Sequence, residues 1–231
     1  MPSRQPWKPV VLRLVNGRYD AASAAVAFGS PVRGEDKEHA DIDLVVVGPI
    51  DGAPMRESIV FDGWPLEIHV HTPDSLLSTC QADARNRRAS LPYVYVHGEV
   101  LFDRDGTGGT IRSRLQRLLD DGPPPVDDDE LIVFRHRITD GISDLSDPRP
   151  LGEIMFAAAR LVRAIAELVL ATNGSWVGEG KAIHRNLTVV DDAFADDLAD
   201  AWSRVGEDPA RLIAIADQAL EPHGGRLFET R

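Results

Sequence analysis

The chain has 231 residues, of which 43% are hydrophobic and 27% charged, values of a folded globular protein rather than a disordered one. Twenty-five basic against 37 acidic residues give a formal charge of −12 and a pI near 5.0. This argues against a grip on nucleic acid, because polymer binders carry a basic footprint that neutralises phosphates. A small anionic ligand held by a few local groups, or a cationic substrate drawn in by the net field, is compatible with it.

At roughly 150 residues per domain the length corresponds to about one and a half domains. The single cysteine, Cys80, has no partner for an internal disulfide, which points to a reducing compartment. Its setting, Leu76-Leu77-Ser78-Thr79-Cys80, suggests an inert thiol on the core face of a helix. Val10-Val11-Leu12 is broken by Arg13, so no signal-peptide pattern is visible. The longest apolar stretch, residues 155–171, contains Arg160, Arg163 and Glu167 and falls short of the about 20 clean residues of a membrane span. A soluble, cytoplasmic protein is expected.

In chain order, the first half alternates strands and helices. Residues 22–27 are small and apolar and run into Phe28-Gly29-Ser30. Residues 41–47 are rich in β-branched side chains and close at Gly48-Pro49, which predicts a strand and a turn. Residues 58–61 and 66–70 flank a turn opened by Asp62-Gly63, a strong hairpin signal. Thr72-Pro73 offers an N-cap and a first-turn proline for a helix to about residue 88. Residues 93–102 read as a strand pattern with a turn at His97-Gly98, Asp105-Gly106-Thr107-Gly108-Gly109 as a turn lacking the lysine of a P-loop, and residues 110–119 as a short amphipathic helix.

Asp121-Gly122-Pro123-Pro124-Pro125 is the linker candidate, since triproline is stiff and extended. Beyond it residues 127–143, 151–171, 181–190, 193–205 and 209–220 all have helical spacing. The acids Asp127-Asp128-Asp129-Glu130 stand at the start of the first of these, where they offset the helix dipole. The expected fold is therefore an α/β (α+β) domain with a mixed sheet over residues 1–122, followed by an all-α helical bundle over residues 126–231.

The chemistry concentrates in Phe28-Gly29-Ser30-Pro31-Val32-Arg33-Gly34 and Asp41-Ile42-Asp43-Leu44. Strand alternation places Asp41 and Asp43 on one face. Two such carboxylates repel, so they either shift a pKa or recruit a cation, and Mg²⁺ prefers hard oxygen ligands. Glu67 lies on another strand candidate with Leu66, Ile68 and Val70 on the opposite face. If the two strands are neighbours, three carboxylates converge, enough to bridge two divalent ions. Gly29 allows close approach of a ligand. Ser30 offers a hydroxyl and an N–H at a strand end where a helix can begin, and Arg33 can add charge-assisted contacts to phosphate.

Gly29-Ser30, ten intervening residues and then Asp41-Ile42-Asp43-Leu44 resemble the signature of the DNA polymerase β-like nucleotidyltransferase superfamily. Gly29-Ser30-Pro31-Val32-Arg33-Gly34 resembles the form found in its small members, and Glu67 stands where their third carboxylate comes. The helical half looks like that of the aminoglycoside nucleotidyltransferases. The resemblance is carried by residues 22–72, extends less specifically to 120, and is architectural beyond the linker.

What it implies is transfer of a nucleoside monophosphate from an NTP, ATP foremost, to a hydroxyl of a small-molecule acceptor, with release of pyrophosphate. Asp41 and Asp43 would ligate two Mg²⁺ ions. Glu67 would ligate one of them or serve as general base. Gly29, Ser30 and Arg33 would hold phosphate. Pro31 departs from the pattern by removing a backbone donor, although proline suits a first helical turn. The site is expected in a cleft between the two domains. An aminoglycoside-like polycation suits the acidic chain, no nucleic acid or membrane partner is expected, and a homodimer is compatible. The alternatives are an antitoxin-like enzyme that adenylylates a protein, and a nucleotide-binding regulator without catalysis.

Secondary candidates carry bland readings beside the functional ones. His69 and His71 share the strand face of Glu67 and could form a histidine metal site with it, or His69 could be a hydrogen-bonding neighbour and His71 a residue of the rim. Lys181 ends a segment with three glycines, residues 173–181; it is either a cation that closes over the triphosphate, as a lysine does in the resembled enzymes, or a solvated surface residue. Glu153 is a helix-start acid or an acceptor-binding acid or base. Trp176 and Trp202 are packing residues or stacking platforms.

Overall fold

The computed structural model describes residues 5–35 and 39–229. The chain divides into two compact units, Met1–Asp121 and Gly122–Arg231.

The first unit opens with α1 (Trp7–Arg18), where the sequence by itself shows only a short apolar patch broken by Arg13. Val10, Val11, Leu14 and Val15 fall on one side of this helix and are buried, so Arg13 lies on the opposite side rather than interrupting a core segment. Five strands follow: β1 (Ala24–Phe28), β2 (Ile42–Val47), β3 (Met55–Phe61), β4 (Trp64–His71) and β5 (Glu99–Asp103). They form one sheet in the order β3-β4-β2-β1-β5. The β2–β4 pair is parallel and the other pairs are antiparallel, which makes the sheet mixed, as expected.

The β3–β4 hairpin turns on Asp62 and Gly63, both at positive φ (46° and 83°), the backbone state a two-residue hairpin needs. The parallel partner of β2 is reached through this excursion, and it is that crossover that sets β4 beside β2.

Three helices of the unit lie after the hairpin: α2 (Pro73–Arg85), α3 (Ser90–His97) and α4 (Thr107–Asp121). The stretch read as a strand from Tyr93 is thus a helix as far as His97, and only Glu99–Asp103 is β. Tyr93-Val94-Tyr95-Val96 has strand composition, but Leu91, Tyr95 and Val96 pack as one helical face, and tertiary burial overrides the local preference. The glycine segment before α4 is also shorter than read: Asp103 caps that helix by accepting from the N–H groups of Gly106, Gly108 and Gly109.

The sheet is sandwiched. One face buries Ala25, Ala27, Ile42, Leu44, Val46, Leu66, Ile68 and Val70 against α1. The other buries Val26, Val45 and Val47 against α2, α3 and α4. Cys80 belongs to this second core, fully buried, and burial with Asp83 nearby pushes its thiol pKa up to about 12. It is the inert core thiol its setting suggested.

The second unit contains α5 (Asp128–Ser146), α6 (Leu151–Thr172), α7 (Lys181–Val190), α8 (Asp192–Ser203) and α9 (Pro209–Leu220), packed around one core that includes Ile138, Ile142, Leu161, Ile165, Leu198 and Leu212. The acidic cluster before α5 is a capping box. Asp127 accepts from the Glu130 N–H at 2.8 Å, and Glu130 accepts from the Asp127 N–H. No helix among the described residues is long and apolar enough to cross a membrane.

Candidate active site

The register of the sheet places chemically distinct residues in one row. Phe28 at the end of β1 is the partner of Asp43 on β2, Asp43 is the partner of Glu67 on β4, and Glu67 is the partner of Ser58 on β3. Directly opposed residues share a sheet face, so Phe28, Asp43, Glu67 and Ser58 project together across four strands. The face is that of Val26, Val45 and Val47, the one covered by α2, α3 and α4. Along β2 the row ends the apolar part of that face: Val45 and Val47 are buried, whereas Asp43, like Glu67 on β4, is half-buried.

Asp41 is exposed and immediately precedes β2, two residues before Asp43. Its backbone is pressed against Gly29. A Cβ on Gly29 would lie 2.6 Å from the Asp41 carbonyl oxygen, and Gly29 has φ 124°. Glycine is required at this position by both space and conformation.

Beyond Gly29 the chain closes into a turn rather than the helix anticipated after Ser30. The N–H groups of Arg33 and Glu35 donate to the Ser30 carbonyl at 3.1 and 2.9 Å, and that of Gly34 donates to the Pro31 carbonyl at 3.1 Å. Pro31 has no N–H, and the N–H groups of Arg33, Gly34 and Glu35 are spent on the turn itself. Side chains add polar groups of their own. Arg33 donates to Glu35 at 2.8 Å and to the Ser30 hydroxyl at 3.5 Å, and its guanidinium lies over the Phe28 ring, 5.2 Å from the centroid.

Glu67 is held from two sides. One of its oxygens pairs with Arg56 of β3 and with His69 Nε2, the latter at 3.0 Å. His69 is thus the hydrogen-bonding neighbour of the carboxylate. His71, expected at the rim, is instead 5% exposed, because β4 carries its end under the start of α2, where His71 Nδ1 meets Ser75 Oγ at 3.2 Å. Its ring is parallel to that of His69 at 6.5 Å. Burial first, and the neighbouring His69 second, hold the His71 pKa below its ordinary 6.5.

The end of the sheet thus gathers Gly29, Ser30, Arg33, Asp41, Asp43 and Glu67. Lys181 belongs to the second unit, where it is exposed as the first residue of α7, after Gly180 at φ 52°. Glu153 lies in the first turn of α6, 3.6 Å from Arg149, at a shallow groove of about 400 Å³ also lined by Asp144, Phe156 and Arg160. Arg56 and Tyr93 were not singled out in the sequence. Arg56 enters through the pairing of β3 with β4, and Tyr93, whose ring meets that of Phe28 edge-on, through the helical course of α3.

Asp41, Asp43 and Glu67 are hard oxygen donors, the chemistry Mg²⁺ takes. Asp43 and Glu67 are register partners on strands about 4.8 Å apart, a spacing that fits shared ligation of one ion. Among the described residues, no three or more His, Cys, Asp or Glu side chains are grouped as a metal cage. Glu67 is turned to Arg56 and His69 instead.

Compared with known proteins, the chain matches no family model and no curated protein. Among solved structures it is similar to a nucleotidyltransferase-like protein from Exiguobacterium sibiricum 255-15, at 9% sequence identity and a TM-score of 0.48. The match covers 94% of this chain and 75% of that one.

Proposed function

We propose that the chain is a metal-dependent nucleotidyltransferase that moves a nucleoside monophosphate from an NTP to a hydroxyl of a small-molecule acceptor. The observation that carries this reading is the pairing of Asp43 with Glu67 across β2 and β4, with Gly29 fitted against Asp41 at the same sheet end. Carboxylates so placed beside a hydroxyl and a guanidinium suit phosphoryl transfer, where the protein's task is positioning and charge stabilisation.

Asp41, Asp43 and Glu67 would hold Mg²⁺. Once bound, Mg²⁺ supplies positive charge that neutralises the triphosphate and makes the acceptor hydroxyl more acidic. Ser30 Oγ and the Arg33 guanidinium bind phosphate oxygens. The acceptor oxygen forms its bond to the α-phosphorus as the bond to the bridging oxygen of the β-phosphate breaks, and pyrophosphate leaves with that electron pair. The acceptor proton passes to Glu67 or to solvent.

The experiment is pyrophosphate release with Mg²⁺ and each NTP, across hydroxyl compounds and candidate proteins. Release with at least one small hydroxyl compound is expected. Asp43→Asn should reduce it by more than the roughly 10–100-fold that loss of a ligand's supporting partner costs. Release that survives this substitution contradicts the site, and modification of proteins alone makes the acceptor a protein.

A further inference from the structure

The row of residues at the sheet end has an aromatic side that phosphate chemistry does not use. Phe28 stands at the β1 end of the row, on the far side of Asp43 from Glu67. Its ring meets the Tyr93 ring edge-on, with centroids 5.8 Å apart. Tyr93 in turn contacts the His97 ring at 4.3 Å. Tyr93 is 50% exposed, although the neighbouring Leu91, Tyr95 and Val96 of the same helix are buried. Arg33 bridges this cluster to the turn, over the Phe28 face and against the Ser30 hydroxyl.

The result is a continuous strip: a hydroxyl, a guanidinium, a ring covered by that guanidinium, and a second ring half open to solvent. Its order matches the order of groups in a nucleotide, from anionic phosphate to planar base. An exposed aromatic face beside a phosphate-binding cation is the arrangement on which bases stack. The opposite flank of Asp43, with Glu67, Ser58 and Arg56 on β4 and β3, is then left to the second substrate.

We propose that Tyr93 is the stacking platform for the base of the bound nucleotide, an inference that rests on the nucleotidyltransferase reading. Stacking is sequence-tolerant because every base has a π-face, so Tyr93 sets affinity for a nucleoside over bare phosphate more than it sets which base is taken.

The test compares MgATP with magnesium tripolyphosphate by calorimetric titration of the full chain. Tyr93→Ala and Tyr93→Leu should weaken ATP binding by about tenfold and leave tripolyphosphate unchanged, while Tyr93→Phe keeps wild-type affinity. The leucine variant retains apolar bulk on α3, and matching melting curves separate stacking from folding. Equal losses for both ligands, or no loss for ATP, overturn the platform while the phosphate site stands. A wild-type chain that binds neither ligand overturns the nucleotide reading itself.

Discussion

Two carboxylates on adjacent strands repel unless positive charge lies beside them, and Arg56 supplies some of it at Glu67, where His69 adds a hydrogen-bonding contact. Both Glu67 and His69 are only partly buried, so these contacts orient the carboxylate more than they stabilise the fold. Gly29 is a more demanding residue. Gly29→Ala would drive a Cβ against the Asp41 carbonyl at 2.6 Å in a backbone state with φ 124°. The expected cost is at least about 1–3 kcal/mol, read as a lower urea midpoint, with loss of turnover because the strain falls on the Asp41–Asp43 backbone. An unchanged midpoint would mean that the turn adapts freely. Alternation places Asp41 and Asp43 on one face and Glu67 on a second strand candidate, but their convergence depends on the two strands being neighbours, which the register of β2 and β4 provides for Asp43 and Glu67. Arg56 and Tyr93 were not legible in the sequence, because each reaches the site through an element paired or packed from elsewhere in the chain.

At the scale of elements, β4 and α2 meet in a titratable joint. His71 ends β4, and Thr72 and Ser75 form the capping box of α2, with the Ser75 hydroxyl shared between the cap and the His71 ring. The native His71 pKa lies below its ordinary 6.5, so below that value the unfolded chain takes up a proton that the native chain resists. Stability from this joint is present above about pH 6.5 and is lost as pH falls. His71→Gln should flatten the melting temperature between pH 7 and 5 relative to wild type, and an identical slope would remove His71 from the account. The hairpin between β3 and β4 was legible because Asp62-Gly63 suits the positive φ its turn demands. The course of α3 was not, since Tyr93-Val94-Tyr95-Val96 favours a strand locally and only packing against β1 and α4 makes it a helix. The helix α1 was missed for a related reason: four apolar residues make a face only once a sheet lies beneath them.

For the whole molecule, the net charge of −12 and the carboxylates at the sheet end belong to one argument. A chain this acidic attracts cations and repels polyanions, so a triphosphate is accepted only where local groups or bound cations offset the field. Ser30 and Arg33 are few for that task; under the proposed function, Mg²⁺ held by Asp41, Asp43 and Glu67 would be the main counter-charge. The composition points away from a grip on nucleic acid and is compatible with a small anionic ligand; the register of four strands sets together the carboxylates that, under the proposed function, would recruit the cations such a ligand needs. The most direct measurement is an electron paramagnetic resonance titration with Mn²⁺ in the presence of ATP, on wild type and Asp43→Asn. Saturable Mn²⁺ binding that the substitution abolishes, with the melting temperature preserved, is the predicted result. Equal Mn²⁺ binding by both proteins would contradict the claim that this row of carboxylates is the catalytic metal site.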